Sequence, residues 1–261
     1  MNRICTLEQA VASLEDGALI GLGGNTLNRA PMAAVREIIR QGRRGLRLVK
    51  TAGGMDIDLL CREGCVSSVD AGFISYESEF GLAQFYRRAV QRGKVIAHEH
   101  ACYTVISALR AASCGVPFMP VRGLQISDLR KVNNYFAEVQ DPFTGERLAA
   151  VRAIAPEVSF LHVQEADAAG NGRIRGPVYE DALLARASRR VILTAERIVG
   201  DAFFAGEAEK PQIPGFLVSH VVHCPRGAAP GCCPGEYGID AEAIRRERGE
   251  SPWGKPFVRG T

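Results

Sequence analysis

Apolar residues recur along this chain with two alternating periods. Leu7, Ala10, Val11 and Leu14 repeat at helical spacing behind Thr6, which stands where an N-cap belongs, and Asp16-Gly17 closes that helix. Ala18 to Leu22 is a short apolar run bounded by glycines, the mark of a buried strand, and Gly23-Gly24-Asn25 forms a tight turn behind it. Pro31 then opens a helix whose apolar face is Met32, Val35, Ile38 and Ile39 and which ends at Gly42. The strand, turn and helix unit returns with variations. Leu46 to Val49 is a strand leading into Thr51-Ala52-Gly53-Gly54, with a helix from Asp56 to Glu63. Val69 to Tyr76 is a strand followed by a helix from Gly81 to Arg92. Val95 to Glu99 is a short strand before a helix from Tyr103 to Cys114, closed by Gly115 and Pro117.

From Arg122 to Arg147 the pattern loosens around the turn Asp141-Pro142-Phe143-Thr144-Gly145, which reads as an excursion over the sheet edge. Order returns with a buried strand at Val158 to Val163, a loop at Asp167 to Gly172, a helix at Asp181 to Arg189, and strands at Val191 to Thr194 and Phe216 to His223. Strands alternating with helices in this way predict an α/β fold: an open, mostly parallel sheet with helices on both faces. Residues 1–240 read as a single α/β domain. Residues 241–261, charged and rich in Arg, Gly and Pro, read as a tail over the surface.

Composition narrows the classes. Apolar residues make up 46% of the 261 positions and charged residues 23%, the range of an ordinary globular protein rather than a disordered or fibrous one. The formal charge of +3 is too balanced for a nucleic-acid binder, though mildly basic chains suit anionic ligands. No signal-peptide pattern opens the chain and no run of 18 apolar residues follows, so a cytoplasmic location with no membrane partner is expected. The eight cysteines are irregularly spaced and are expected as reduced thiols. Neither Cys61 with Cys65 nor Cys232 with Cys233 makes a C-x-x-C zinc pair.

Ligands of open α/β sheets bind beyond the carboxyl ends of the strands, which directs attention to Gly23 to Asn28, Thr51 to Gly54, Ser75 to Glu79, Glu99 to Cys102 and Asp167 to Gly172. Glycine turns at helix N-termini aim backbone N–H groups at an anion or a developing oxyanion. The G-x-G-x-x-G and G-K-[ST] spacings are absent, so neither a dinucleotide nor a P-loop nucleotide is supported. His98 and His100 share one face of a strand, yet two ligands do not make a metal site, and no metal is expected. His162, inside an apolar strand, reads as a hydrogen-bonded core residue, and the run Arg186 to Arg190 as a solvated helix end. Arg173 and Arg175, after Gly170-Asn171-Gly172, could reach a carboxylate or a phosphate.

The segment Asp16-Gly-Ala-Leu-Ile-Gly-Leu-Gly-Gly24-Asn25-Thr-Leu-Asn-Arg29-Ala-Pro31 resembles the N-terminal signature of class I CoA-transferase alpha subunits. The general signature has Phe at Asn25 and Gly at Arg29, and the Arg is similar to the glutaconate CoA-transferase branch. The resemblance continues through Leu48 to Gly54, Gly115 to Pro120, Asp141 to Glu146, His162 to Gly172, Ile213-Pro-Gly and Pro225 to Pro230. In that family a glutamate of the beta-type subunit is the nucleophile: it forms an anhydride and then a glutamyl-CoA thioester. The context of that glutamate, a Glu-Asn-Gly or Glu-x-Gly that closes a strand, is absent here, and Glu77, which ends a strand, resembles the alpha-half counterpart that is not the nucleophile.

The resemblance therefore implies an alpha subunit with no catalytic nucleophile of its own. It would act with a beta-type partner, as a heterodimer, heterotetramer or larger assembly, and take an acyl-CoA as substrate with no permanently bound cofactor. It implies an oxyanion and acyl pocket at Thr51, Ala52, Gly53, Gly54, Ser75, Glu77, Glu99 and Cys102, and substrate or CoA contacts at Gly23, Gly24, Asn25, Arg29, Arg173 and Arg175. Thr51 or the backbone of Gly53 would replace the family's amide donor. Cys102 stands where transferases have glutamine and the related steroid ring-opening CoA hydrolases have glutamate. Two readings of Cys102 stay open: a reactive thiol with its pKa lowered by the helix dipole, or a small residue at the site edge. A ring-opening hydrolase acting on a cyclic keto-acyl-CoA is the alternative function. A ligand-sensing domain, as in some sugar-responsive regulators, is a third reading, disfavoured because those carry a DNA-binding segment ahead of the sheet and this sheet is expected to begin by residue 18, leaving no room for one.

Overall fold

The computed structural model of the protein describes residues 2–124, 126–205 and 210–249. Helix α1 (Leu7–Ala12) begins in a capping box: Thr6 Oγ1 accepts from the Gln9 amide at 3.1 Å, and the Gln9 side chain accepts from the Thr6 amide at 3.0 Å. There follow β1 (Leu19–Leu22), α2 (Met32–Arg40), β2 (Leu46–Gly53), α3 (Met55–Arg62) and β3 (Val66–Ile74). The stretch from Gly81 to Arg92, expected as one helix, is preceded by a separate short one: α4 (Glu77–Phe80) and α5 (Gln84–Gln91) are divided where Gly81 takes a left-handed φ of 74°. Strand β4 (Ile96–Glu99) and helix α6 (Cys102–Ser113) complete this half.

The excursion after α6 has its own order. Strand β5 (Phe118–Val121), helix α7 (Leu129–Val132), strand β6 (Phe136–Gln140) and strand β7 (Arg147–Arg152) follow, the three strands forming an antiparallel sheet in the order β5-β7-β6. Its hairpin is the Asp141 turn, where Asp141 accepts from the Phe143 amide at 2.9 Å and the Thr144 hydroxyl at 2.7 Å. The chain then re-enters the main sheet with β8 (Val158–Asp167), β9 (Gly172–Arg173), α8 (Asp181–Ala187), β10 (Arg190–Val199) and β11 (Val218–His223). Last comes α9 (Ala241–Glu247), capped by Asp240. This helix lies within the stretch expected to cover the surface, yet Ile244 is fully buried in the core. The rest of that expectation, from residue 250 onward, falls outside the described residues.

The main sheet runs β11-β10-β8-β1-β2-β3-β4, every neighbouring pair parallel, with β9 antiparallel on β8. Alternate residues feed two separate cores. Val158, Phe160 and Ile192 join α1, α2, α3 and α9 on one face, while Leu161, Val163, Val191 and Leu193 meet α6, α8 and the small sheet on the other. The small sheet is pinned to the edge of the large one at a buried aspartate. His98 and His100 approach Asp70 at 3.2 and 3.4 Å, and His100 packs on Tyr135 and Phe136 with ring centroids 5.4 Å apart. The chain winds outward from β1 in one direction and from β8 in the other, so the topological switch point lies between β1 and β8. Among the described residues, no helix is long and apolar enough to cross a membrane.

Candidate active site at the strand ends

Three loops converge beyond the carboxyl ends of β1, β2 and β3, and most of their backbone amides are already engaged. In the turn after β1, the amide of Gly23 donates to Phe160 O at 2.9 Å, Gly24 to Asp181 Oδ1 at 2.7 Å, Asn25 to Asn28 O at 2.8 Å and Thr26 to Ala52 O at 2.9 Å. These amides of the turn are engaged within the chain, which fixes the turn against β8, α8 and β2. Arg29 is held inside the fold as well. Its residue is 0% exposed and its guanidinium donates to Asp181 at 2.5 Å, His162 O at 3.0 Å and Pro177 O at 2.8 Å. A buried guanidinium must be paired, and this one is paired away from any ligand.

A second buried ion pair ties this turn to the next. Lys50 Nζ donates to Gly23 O at 2.8 Å and to Asp56 Oδ2 at 2.5 Å, while Asp56 Oδ1 accepts from the amides of Gly54 and Ile57, each at 2.9 Å. The Gly54 amide is therefore taken as well. Gly54 itself lies against the neighbouring loops, since a Cβ there would come within 3.0 Å of Ser75 O and 3.3 Å of Thr26 O. Neither Lys50 nor Asp56 was among the residues expected at the site, although a lysine inside an apolar strand, with an aspartate six positions on, was a visible signal.

Ser75 is buried and its hydroxyl is tied to Gly81 O at 2.9 Å, while its amide donates to Gly53 O at 3.0 Å. Glu77 stands exposed at the first position of α4 with φ at 62°, a strained backbone for a non-glycine residue, and its carboxylate accepts from the Thr26 hydroxyl. Glu99 ends β4 with its side chain exposed and its carbonyl held by Asn133 Nδ2 at 2.7 Å. Arg173 and Arg175 lie on the β8–β10 side of the switch point. There they converge with Arg197 on the buried carboxylate of Glu165, at 3.1 Å for Arg173 and 2.6 Å for Arg175. Burial alone would raise the Glu165 carboxyl, but the hydrogen bonds from Arg173 and Arg197 hold it below the usual range.

The donors left facing the cleft are found where α6 begins. Gly72 lets that helix approach β3 closely: a Cβ there would sit 2.3 Å from the Cys102 amide. Cys102 and Tyr103 occupy the first two helical positions, whose N–H groups have no intrahelical acceptor and carry the positive end of the dipole. Cys102 Sγ lies 3.7 Å from Thr51 O. Its thiol is pushed up, by burial and then by the charge of Glu180, so the helix dipole does not produce the lowered thiol pKa entertained for it.

Thr51 is 6% exposed, and its hydroxyl is buried without a hydrogen-bond partner. Glu180, just ahead of α8, is half-buried. Burial raises its carboxyl most, Asp181 adds to that, and its own amide, Thr51 and Lys50 pull it down. Glu180 is hidden in the sequence, because an acidic residue before a helix reads as a cap. Exposed Phe73 near the end of β3, Tyr103 in the first turn of α6 and Tyr179 ahead of α8 supply aromatic surface. Together, an unpartnered hydroxyl and a helix N-terminus can stabilise an oxyanion that develops on a carbonyl.

Among the described residues, the cluster with metal-ligand character is His162, Glu196 and Cys233. His162 bonds Thr194 at 2.9 Å and Glu196 at 2.8 Å, and Glu196 also accepts from Tyr237 at 2.6 Å and the Arg226 amide at 2.7 Å. It is a closed hydrogen-bond network.

A sequence profile for the family described as coenzyme A transferase matches residues 4–224. The chain is 32% identical to one named subunit of the glutaconate CoA-transferase of Acidaminococcus fermentans, over 92% of this chain and 80% of that one. It is 33% identical to one named subunit of the 3-oxoadipate CoA-transferase of Pseudomonas knackmussii, over 100% of this chain and 95% of that one. It is also 32% identical to the IpdA subunit of a cholesterol ring-cleaving hydrolase of Mycobacterium tuberculosis, over 98% and 92%. An uncharacterized protein of Archaeoglobus fulgidus is 33% identical over 99% of this chain, which spans 60% of that protein's length. Among solved structures, glutaconate CoA-transferase of A. fermentans superposes with a TM-score of 0.88 at 31% identity, covering 93% and 82% of the two chains. A variant of the decarboxylase AibA/AibB superposes at 0.86 with 38% identity, covering 94% and 92%.

Proposed function

Because this chain belongs to the coenzyme A transferase family, we propose that it is the alpha-type half of a heteromeric enzyme moving CoA from an acyl-CoA to a carboxylic acid. The nucleophile is a glutamate of a beta-type partner. Its carboxylate attacks the thioester carbonyl, the C–S bond breaks, and CoA thiolate leaves a mixed anhydride. The thiolate then attacks the glutamyl carbonyl, releasing the first acid and leaving a glutamyl-CoA thioester. The acceptor carboxylate attacks that thioester, and the same two steps in reverse give the new acyl-CoA.

This chain's part is to hold the acyl oxygen while it carries charge. Thr51 Oγ1 and the Cys102 and Tyr103 amides donate to it, and Phe73, Tyr103 and Tyr179 shield the carbonyl from water. The buried, unpartnered hydroxyl of Thr51 beside the start of α6 is the observation that carries this reading. Relatives whose names make them single components of multi-chain transferases support the need for a partner.

The test is the co-purified pair, assayed with acetyl-CoA and glutaconate. Glutaconyl-CoA should form, and hydroxylamine should cleave a CoA thioester from the partner chain. T51V should lower kcat by roughly 100-fold with little change in KM. Absence of both product and thioester refutes transfer. The likeness to a component of a ring-cleaving hydrolase supports a second reading, hydrolysis of a cyclic keto-acyl-CoA. That reading requires turnover with no trapped thioester. Release of carbon dioxide would instead point toward the decarboxylase neighbour.

A further inference from the structure

The transfer chemistry leaves Glu77 without a task, although the fold holds it in place at a cost. Its φ of 62° and the φ of 44° at Thr26 both lie in the left-handed region. Neither residue is a glycine, and strain of this kind persists only where the surroundings over-determine it, typically where a ligand is handled. The two residues are tied to each other, since the Thr26 hydroxyl donates to Glu77 Oε1. Both ends of the tie are fixed in turn. The Thr26 amide donates to Ala52 O, and the Glu77 carbonyl accepts from the Gly81 amide, each at 2.9 Å. Thr26 is 5% exposed, whereas Glu77 stands in the open.

The result is a carboxylate held at the cleft with one oxygen to spare. Oε1 is engaged by Thr26, and among the described residues nothing bonds Oε2 and no cation pairs with the group. Arg29 and Lys50, the buried cations of the neighbouring turns, are already matched by Asp181 and Asp56. Thr26 also places the carboxylate beside β2, because the carbonyl it bonds belongs to Ala52, the neighbour of Thr51. A carboxylate offers lone pairs only, so it repels a second carboxylate or a phosphate and accepts from a neutral N–H or O–H. In an acyl-CoA, the donors nearest the thioester are the amides of the arm that carries the sulfur.

We propose that Glu77 binds the amide arm of the coenzyme, with Oε1 anchored on Thr26 and Oε2 accepting an arm N–H while the thioester carbonyl lies at Thr51 and the start of α6. This deepens the transferase reading and rests on acyl-CoA occupying that cleft. The contact is a hydrogen bond and forms no covalent link, so the nucleophile stays with the partner. Because it holds the arm rather than the acyl group, it serves every acyl-CoA alike and leaves the choice of acid to other residues.

The experiment is calorimetric titration of the co-purified pair with desulfo-CoA, which keeps the arm and lacks the reacting sulfur, alongside kinetics with acetyl-CoA and glutaconate. E77Q keeps an oxygen for Thr26 but turns an NH2 on the arm donor, so the Kd for desulfo-CoA and the KM for acetyl-CoA should each rise roughly 10-fold. The KM for glutaconate should stay where it is. T26V releases the anchor and should weaken desulfo-CoA binding in the same direction by less, while T26S restores the hydroxyl and should return wild-type binding. A merely structural tie would move the urea midpoints of E77Q and T26V and leave the Kd alone. An unchanged Kd in E77Q therefore overturns the proposal, and if acyl-CoA still forms, the transfer reading stands without it. A KM that rises only for 4-hydroxybutyrate as acceptor, and not for butyrate or acetyl-CoA, also overturns it by moving the donor onto the acyl group. If wild type binds desulfo-CoA and E77Q weakens it, yet no acyl-CoA forms, the arm contact stands and transfer is what fails. A wild-type pair that does not bind desulfo-CoA sinks the proposal outright.

Discussion

Replacing Lys50 with methionine removes an ammonium on a residue 3% exposed while nearly keeping the side-chain volume. Asp56, 0% exposed, is left as a carboxylate with two amide donors and no counter-charge. At an effective dielectric of 20 and a charge separation of roughly 4 Å, the lost attraction is about 4 kcal/mol. Breaking a buried pair from one side generally costs roughly 3–5 kcal/mol, because the abandoned charge stays desolvated. The lost bond to Gly23 O adds about 1 kcal/mol. K50M should therefore destabilise the chain by about 4–5 kcal/mol, and D56N by roughly 3–5 kcal/mol, since it strands the ammonium instead.

The double variant K50M/D56N should do much better than either sum. It removes both charges and keeps an amide oxygen for Gly54 and Ile57, so its cost should be about 1–2 kcal/mol and the coupling at least roughly 5 kcal/mol. Urea unfolding of the three variants, read by linear extrapolation, measures each contribution. A K50M cost below about 1 kcal/mol, or a double variant equal to the sum of the singles, would refute the claim that this pair clamps the two glycine turns.

Two further predictions concern a helix expected at the surface and a histidine network in the core. I244A should cost roughly 2–5 kcal/mol in urea unfolding, because Ile244 is the fully buried residue by which α9 joins the core, and a near-zero cost would return α9 to the surface. Glu196 is pushed up by burial, but hydrogen bonds from His162 and Tyr237 outweigh that and hold it below the ordinary value. With the folded pKa below the unfolded value of about 4.3, its contribution is present above that value and is lost as pH falls through the folded pKa. Thermal melts of E196Q from neutral pH to about pH 3 should thus show a shallower acid decline than wild type, and an unchanged decline refutes the assignment.

The alternation of apolar runs with helical stripes was enough to read the main sheet, because β1, β2, β8 and β10 are buried on both faces and appear as near-continuous apolar words. The small sheet escaped because β5 and β6 are largely exposed, with Pro120 and Glu138 inside them, so neither period stands out. Strand ends directed attention to Thr51, Glu77 and Cys102, and the fold places them near the ends of β2 and β3 and at the start of α6. Glu180 was invisible, since its burial depends on the fold around it.

By itself, then, the order of apolar words determined the strands and helices of the parallel sheet, and the glycine and proline motifs the family likeness, all of which depend on residues near one another in the chain. The tertiary structure alone decided which charged groups are sealed and which face the cleft. Asp181, 152 positions away, pairs with Arg29 and takes the Gly24 amide, while Asp56 takes the Gly54 amide of the next turn. Burial and pairing are properties of distant neighbours, and they settle whether a polar group is free to do chemistry.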